Sequence, residues 1–453
     1  SISMSALSSG SPAWTSRFAF LMASIGFAVG LGNIWRFPYV TGENGGGAFI
    51  LIYLLCVVLI GIPILMAELT IGRRGGMTPP GSMQKVAVQE GASRHWRSVG
   101  WMNLLTAFLI MVTYSVVAGW VFYYLYLALT SGFAGVDPIS ANQAFDDLLE
   151  SPIDLLFWTY LSLIITGTII YAGIEKGIER AVTILMPLLF VLMMILVVYN
   201  IINGGFVEAA AYLFIPDFSR INGNVMLAAL GQAFFSIGVA MAGMMTFGAY
   251  LPKDVSITTS AFQIIIADTF IALLAGLVIF PAVFVNGLDP AGGPGLIFQT
   301  LPVAFADMPG GHLVSVTFFL LLAVAAITSM VGLVEPLVRW LEEKAGYSRH
   351  LSATLIISAI GSLSLVSCLG YNLLSDLSLF SRDINDLTDY VSNQMLLPLG
   401  GLLIAVFAGW FVSRKTLLSE LDIRDSFMFK SWLISIRYLV PPAVLIVFIL
   451  GIT

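Results

Sequence analysis

The stretch GFAVGLGNIWRFP, residues 26–38, lies in an apolar segment long enough to cross a bilayer, yet it holds three glycines, an asparagine, an arginine and a proline. This composition predicts that the helix is interrupted between Ala28 and Gly32. An interruption frees backbone carbonyls, which suit a hard cation, and it frees amides at a half-helix N-terminus, which attract an anion. The segment therefore predicts a binding site for small charged groups inside the membrane.

A second apolar segment, GQAFFSIGVAMAGMMTFG at 231–248, is weakened at its centre by Gly238, Ala242 and Gly243. Five predicted helices separate the two segments, so they cross in opposite directions, as in transporters built from inverted repeats. Glycines also allow close helix packing in membranes. Asn33 and Ser236 lie beside the two breaks, and they favour a binding site over simple packing.

One acidic residue, Asp268, stands alone within the apolar run QIIIADTFIALLAG. An ionisable group inside a membrane is costly, so it is a functional candidate by default. A structural ion pair is the alternative interpretation, but no basic residue falls at the middle of a neighbouring segment. We therefore predict a functional role for Asp268.

The whole composition is that of a helical membrane protein. The 453 residues are 58% hydrophobic and 10% charged, with a mean hydropathy of +0.95. Apolar runs of about 18 residues or more recur along the chain. They predict an all-α integral membrane protein with eleven transmembrane helices, at 17–42, 46–71, 99–130, 154–172, 178–201, 224–251, 257–285, 312–341, 351–372, 386–412 and 430–452.

We expect one transporter domain over residues 1–453. It comprises a first repeat at about 17–201, a second at about 224–412 and an extra helix at 430–452, a five-plus-five inverted repeat with discontinuous helices 1 and 6. Lysines and arginines concentrate in the segments after helices 2, 4, 6, 8 and 10. By the positive-inside rule the N-terminus is cytoplasmic, and eleven crossings of the cell membrane place the C-terminus outside.

Two other classes of function compete with transport. A membrane enzyme needs a nucleophile with its base or a metal cluster, and the three histidines and two cysteines show no such spacing. A channel or receptor could share the composition, but paired inverted breaks favour alternating access. We expect a lipid bilayer and a small substrate as partners, and no nucleic acid.

Several motifs resemble the neurotransmitter:sodium symporter family. They are AVGLGNIWRFPYVTGENGGGAFILIYLL from Ala28, GIPILMAELTIGRRG from Gly61, GQAFFSIG from Gly231 and ITSMVGLVEPLV from Ile327. The resemblance covers nearly the whole chain. The predicted number of eleven helices resembles that of a bacterial branch of the family, which includes a transporter of several hydrophobic amino acids. It implies sodium-coupled uptake, and we expect two Na⁺ ions to bind as cofactors.

The resemblance also implies a ligand set for each group. The first sodium would take oxygens of the substrate carboxylate and of Ala28, Asn33, Ser236 and Asp268. The second sodium would take carbonyls and hydroxyls of Gly26, Val29, Ala325, Thr328 and Ser329. The substrate carboxylate would meet the Leu31 and Gly32 amides and the Tyr114 hydroxyl. The substrate ammonium would face the carbonyls of Ala28, Phe235 and Ser236.

Gly30 indicates the class of substrate. Monoamine transporters that resemble this chain place an aspartate at that position, because their substrates carry no carboxylate. Glycine supplies neither charge nor bulk, so we expect the substrate to bring its own carboxylate as an L-amino acid. Its side chain would be hydrophobic or aromatic, facing the uncharged residues Val117, Phe235, Met241, Ala242 and Gly243. The methionine could equally be ordinary core packing.

Asp268 also bears on chloride. Relatives that need chloride resemble this chain at Tyr53, Gln232 and Ser236 but carry asparagine at the Asp268 position. A fixed carboxylate would supply the negative charge that chloride supplies there, so we expect no chloride requirement. The Asp268 carboxyl could change its protonation during the cycle. Ala272 departs from relatives that have an acid or a serine at its position.

The family's outer gate implies an ion pair between Arg36 and Asp389, with Asp386 as a second choice. Snorkelling of Arg36 to the interface is the alternative. On the inner side Trp14 matches a family tryptophan and Glu343 has the place of an acidic partner. Ser11 stands where the family has arginine, which puts the inner pair in doubt.

Gly177 and Pro187 lie near the cytoplasmic half of the fifth predicted helix. Proline removes a helical hydrogen bond and glycine loosens a turn, although membrane helices tolerate both. We predict a hinge that unwinds and lets water reach the second sodium.

Overall fold

The computed structural model describes residues 12–421, 423 and 426–453. Within them the chain forms helices and no strand. They are α1 Arg17–Ala28, α2 Gly32–Glu43, α3 Gly47–Gly75, α4 Pro79–Gln89, α5 Arg94–Leu129, α6 Pro138–Glu150, α7 Pro152–Tyr171, α8 Ile174–Asn203, α9 Phe206–Phe214, α10 Gly223–Ser236, α11 Gly243–Ala249, α12 Ile257–Val285, α13 Leu296–Asp307, α14 Gly311–Ala345, α15 Arg349–Leu369, α16 Ile384–Phe411, α17 Arg414–Leu421 and α18 Phe427–Ile452.

Nine of these described helices are long and apolar enough to cross a membrane: α3, α5, α7, α8, α12, α14, α15, α16 and α18. The pair α1 and α2 meets the same test as one span bent by 47°. The helices α10 and α11 have 14 and 7 residues, so each is too short to cross alone. The all-helical membrane class is confirmed, with up to ten spans by length and composition, and the count of eleven stays a prediction.

Burial sorts the spans into an inner and an outer set. In its most apolar window α14 is 78% buried, whereas α18 is 22% buried. The inner helix α14 packs against α1, α5 and α8, so it reaches the broken part of the first span. A helix buried on all sides reads as apolar all round, which explains why these segments carry so little charge.

Both predicted breaks are present. α1 ends at Ala28, Val29 is extended at φ −82° and ψ 106°, and α2 begins at Gly32. Between α10 and α11 the backbone takes left-handed φ values of 77° at Gly238, 62° at Ala240 and 71° at Ala242. The two spans are therefore discontinuous where the sequence places their glycines.

A left-handed alanine costs about 1 to 3 kcal/mol unless its surroundings hold it. The support comes from Glu68 on α3, which is fully buried. Its Oε2 accepts a hydrogen bond of 3.0 Å from the Ala240 amide, a group that no helix satisfies. The side chain of an inner span thus stabilises the unwound part of the sixth segment.

Gly238→Ala should destabilise the protein by about 1 to 2 kcal/mol. The added Cβ would lie 3.1 Å from the Phe27 ring, and the residue would have to keep its φ of 77°. Thermal unfolding of the purified protein in detergent measures the effect. The matched control is Gly231→Ala, where a Cβ meets open space on a helix and the melting temperature should hold or rise. Equal melting temperatures for the two variants would contradict this account of the break.

Candidate functional site

The broken first span presents backbone groups to α5. The Leu31 amide donates to the Tyr114 hydroxyl at 3.1 Å, and the Gly30 amide lies 3.3 Å from Asn33 Oδ1. Both amides follow the end of α1, so neither has a partner within that helix. The geometry leaves an amide and a phenol hydroxyl side by side, which together suit a carboxylate.

A first group of oxygen-bearing side chains surrounds Asp268. Asn33 Nδ2 donates to Asp268 Oδ1 at 2.8 Å, and the Ser236 hydroxyl donates to Asp268 Oδ2 at 2.8 Å. All three residues are at most 2% exposed. The sequence predicted this trio from three separate segments, and the structure brings its members together. Their oxygens form a donor set that fits a hard monovalent cation.

A second group lies between α1 and α14. The Ser329 hydroxyl is 3.3 Å from the carbonyls of Gly26 and Val29 and 3.0 Å from that of Phe27. The neighbouring residue on the same helix, Thr328, has its hydroxyl 3.1 Å from the carbonyl of Ala325, which lies one turn earlier. A Cβ at Gly26 would lie 3.1 Å from Thr328 Cβ, so the two parts of the group adjoin. These are the five residues predicted for the second sodium, and all their ligands are neutral oxygens.

A small cavity of about 40 Å³ lies between the two groups. Its polar lining includes Tyr114, Ser236 and Ser329, and its apolar walls include Ile110, Met241 and Leu333. None of the residues that line it is charged. The cavity therefore offers one polar end and one apolar end, with no protein charge to match a charged side chain.

Gly30 is required by the packing of this cavity. A Cβ at Gly30 would lie 2.1 Å from Ser329 Oγ and 2.7 Å from the Tyr114 hydroxyl. Both atoms belong to the polar end, and both are held by short contacts to the broken span. Any side chain at this position would displace the groups that form the site.

Three residues predicted to face the substrate side chain do not line the small cavity. Ala242 and Gly243 are both buried, and a Cβ at Gly243 would lie 2.3 Å from the Phe27 ring. Val117 lines a larger cavity next to the small one. The walls that sequence reasoning missed are Ile110 and Leu333, which carry no signal beyond ordinary apolar residues.

The larger cavity has a volume of about 500 Å³ and continues from the small one on the side of α2. The two share four lining residues: Gly32, Ile110, Tyr114 and Phe235. Arg36, Asp386 and Asp389 lie on the walls of the larger cavity. A continuous path therefore leads from the broken helices to the predicted outer gate.

The predicted gate pair is not joined in this structure. Arg36 Nε donates to Gln232 Oε1 at 3.0 Å, and its guanidinium lies 4.8 Å from the centre of the Phe235 ring. Asp389 accepts from Asn393 at 2.6 Å, while Asp386 pairs with Arg382 at 3.2 Å. Arg36 and Asp389 line the same cavity without contact, as two halves of an open gate would.

The opposite side of the site is closed. Trp14 is 3% exposed; its indole donates to the Phe247 carbonyl at 2.9 Å, and its amide donates to the Tyr250 carbonyl at 3.0 Å. Thr15 donates twice to the Glu179 carboxylate, at 2.7 Å from its amide and 2.5 Å from its hydroxyl. The segment before α1 is thereby fixed against α8 and α11.

Below Trp14 lies an ionic network that sequence reasoning missed. The Tyr250 hydroxyl donates to Glu335 Oε1 at 2.6 Å, and Arg349 forms an ion pair with Glu335. Arg349 also binds Glu342 at 3.1 Å. Glu335 is completely buried and stands within an apolar helix, which by the rule applied to Asp268 would have marked it.

The predicted inner gate stays a prediction, because Ser11, which stands where the family has the arginine partner of the Glu343 position, lies outside the described residues. The Thr78 amide donates to Glu343 Oε1 at 3.1 Å, the Thr78 hydroxyl donates to Oε2 at 2.7 Å, and Arg339 lies 3.6 Å from Oε1. Among the residues that the structure describes, the partners of Glu343 come from the segment before α4 and from α14, so Glu343 fixes that segment to α14.

The predicted hinge residues lie in α8. Gly177 falls in a π-helical turn, Ile174–Glu179, and Pro187 lies inside the continuous helix Arg180–Asn203. The helix is wound at both positions in this structure, so the unwinding stays a prediction.

These features together define a membrane transporter, because a binding site between two broken spans, open on one side and closed on the other, is what alternating access requires. The sodium:neurotransmitter symporter family model matches residues 11–138 and 149–453, and this chain belongs to that family. The family predicted from the sequence motifs is confirmed, and its function is sodium-dependent transport.

The chain is 35% identical over 442 residues to an uncharacterised sodium-dependent transporter of Bacillus subtilis, with 96% of each chain covered. It is 35% identical over 444 residues to another of Haemophilus influenzae, covering 96% of this chain and 97% of the relative. The structure resembles that of MhsT solved in complex with L-phenylalanine, with a TM-score of 0.89, 41% identity and coverage of 97% and 99%. These similar proteins are transporters rather than enzymes.

Arg349→Met should destabilise the protein by about 3 to 5 kcal/mol, because it leaves the fully buried Glu335 carboxylate without its counterion. The matched control is Arg382→Met, which removes the exposed pair with Asp386 and should change stability by about 1 kcal/mol or less. Melting temperatures of the two purified variants make the comparison. Equal losses would show that the buried network does not hold the closed side together.

Proposed function

We propose that this protein couples inward movement of Na⁺ to uptake of hydrophobic L-amino acids by alternating access. The observation that carries the proposal is the uncharged cavity between the two oxygen groups, with Gly30 where a side chain would fill it. Such a cavity requires a substrate that brings both of its own charges. A zwitterionic amino acid with an apolar side chain meets that requirement.

The substrate carboxylate binds the amides of Leu31 and Gly32 and the Tyr114 hydroxyl. Support comes from the 3.1 Å contact between the Leu31 amide and that hydroxyl, which places two donors at one point. The substrate ammonium faces the carbonyls of Ala28, Phe235 and Ser236 at the ends of the two half-helices. The negative end of each half-helix dipole favours a cation there.

Two sodium ions accompany the substrate in this proposal. The first lies among Ala28, Asn33, Ser236 and Asp268 and is completed by the substrate carboxylate. Because ion and substrate then share a ligand, each raises the affinity for the other by the same factor. The second lies between α1 and α14, where the Ser329 hydroxyl contacts the Gly26 carbonyl in α1 and the Val29 carbonyl just after it.

The substrate side chain occupies the apolar end against Ile110, Met241 and Leu333. A methionine adapts its shape to different ligands, which favours a broad range of hydrophobic substrates, including aromatic ones. The similar protein MhsT was solved with L-phenylalanine, an amino acid of this class.

Alternating access then follows from the two unequal sides. The larger cavity with Arg36 and Asp389 faces outward, and the closed side with Trp14 faces the cytoplasm, in line with the positive-inside rule. We propose that the Arg36–Asp389 pair forms when substrate fills the site. The wider architecture is eleven crossings in a five-plus-five inverted repeat, with a cytoplasmic N-terminus and an external C-terminus.

Release of the second sodium would use the hinge in α8. Met186, next to Pro187, covers the second group: its sulfur would lie 3.1 Å from a Cβ at Gly26. Glu179, at the end of the π-helical turn that holds Gly177, binds Thr15. Unwinding between these points would withdraw Met186 from the ion and loosen the segment before α1.

Proteoliposomes should accumulate labelled leucine or phenylalanine when an inward Na⁺ gradient is imposed, and not when choline replaces Na⁺. Unlabelled hydrophobic amino acids should compete, whereas lysine, glutamate and amines without a carboxylate should not. Gly30→Ala should abolish uptake, because its Cβ would lie 2.1 Å from Ser329 Oγ. Gly361→Ala is the control, since its nearest neighbour would be 3.6 Å away. Uptake of equal size in choline would refute sodium coupling.

Replacing chloride by gluconate should leave this uptake unchanged, because the Asp268 carboxylate supplies the fixed negative charge beside the first ion. Asp268→Asn should lower uptake in gluconate by about tenfold or more, as expected when a buried charge partner is lost. Asp146→Asn, an exposed acid on α6, serves as the control with the same chemical change. Wild-type uptake that collapses in gluconate would overturn the proposal on chloride while leaving sodium coupling intact.

A further inference from the structure

A separate cavity of about 340 Å³ lies at the end of α14 that carries Glu343, far along that helix from Ser329. Three elements form it: the segment 77–84 around the start of α4, the first turns of α5 and the last turns of α14. It shares no lining residue with either substrate-side cavity. A ligand in this cavity therefore makes no contact with the residues that line the transport site.

Each of two antiparallel helices contributes one tryptophan and one basic residue to this cavity. On α5, Arg97 lies one turn before Trp101; on α14, Lys344 lies one turn after Trp340. The two indole rings meet edge to face with centroids 5.1 Å apart. Because the helices run in opposite directions, the tryptophans form one layer, and both cations lie on its outer side, toward the loops.

Both cations are available for a ligand. Arg97 and Lys344 are exposed, and within the described part of the chain neither has an ion-pair partner. The one carboxylate on the cavity wall, Glu343, is already held by the Thr78 amide and hydroxyl and lies 3.6 Å from Arg339. Two free cations therefore share a cavity whose acid has its own partners.

We propose that this cavity binds an anionic phosphate group, and that its source is the headgroup of an anionic lipid. Basic pockets between membrane helices on the cytoplasmic side suit such headgroups, and Trp residues suit the interface where glycerol and acyl chains begin. Trp101 is 40% exposed, so the tryptophan layer is open toward the surroundings. A free phosphate ion is also anionic, but it has no glycerol or acyl chains that could contact the indole rings.

A bound headgroup bridges α5 and α14 through Arg97 and Lys344. Of these two helices, α14 is linked to the segment before α4 by the hydrogen bonds between Glu343 and Thr78. Occupancy thus stabilises the closed cytoplasmic side without contact with sodium or substrate.

Thermal stability of the full-length protein in neutral detergent tests this inference, measured without Na⁺ or amino acid. Phosphatidylglycerol, phosphatidylcholine, glycerol phosphate and inorganic phosphate are titrated separately. The Arg97→Gln, Lys344→Gln double variant is compared with Lys253→Gln, Lys415→Gln, which removes two exposed charges that do not line the cavity. Sodium-dependent stabilisation by leucine is measured afterwards to show that each variant is folded.

Phosphatidylglycerol should stabilise the wild type and the control, and the Arg97, Lys344 variant should need about tenfold more or show no effect. Equal stabilisation by glycerol phosphate or inorganic phosphate would support a phosphate-binding site but would contradict an anionic lipid as its ligand. Equal responses of both double variants to phosphatidylglycerol, or no response in the wild type, would overturn the proposal. Failure of leucine binding alone would bear only on the transport function.

Discussion

A peptide group that leaves its helix inside a bilayer has no water to bind, and this constraint governs the structure. Three of the released groups have protein partners here: the Leu31 amide has Tyr114, the Ala240 amide has Glu68, and the Val29 carbonyl has Ser329. These partners come from inner spans, which explains why those spans are so thoroughly buried. The same released groups are the ones that can exchange a protein partner for an ion or a zwitterion, so stability and ligand binding use one set of atoms.

Different kinds of interaction stabilise the two sides of the site. On the side of α2, Arg36 binds Gln232 and lies over Phe235. Because these groups line an open cavity, exchanging those contacts for an ion pair with Asp389 costs little free energy. On the other side a buried carboxylate, Glu335, depends on Arg349 and Tyr250. Breaking a buried pair costs far more than breaking an exposed one. Opening that side therefore needs a compensating change elsewhere, and the wound hinge around Gly177 and Pro187 is a place where one can occur.

Much of the site could be predicted from the sequence because its residues break local rules. Glycines within apolar spans indicated where both helices are interrupted. Asp268 was found as a lone acid in an apolar run, and Asn33 and Ser236 were found as polar residues beside the two interruptions. Glu68 and Glu335 are also buried acids in apolar spans, and the same rule would have identified them as candidates. The walls Ile110 and Leu333 could not be found, since an apolar residue in an apolar helix has no distinguishing pattern. The Phe27 ring that packs against Gly243 could not be found either, because the two residues are distant in the chain.

Equilibrium binding of radioactive Na⁺ to the purified protein, with and without saturating leucine, is the most direct test of the shared ligand. If the substrate carboxylate completes the first ion's shell, leucine will tighten Na⁺ binding by the factor by which Na⁺ tightens leucine binding. Sodium affinity that does not change when leucine is added would contradict the account.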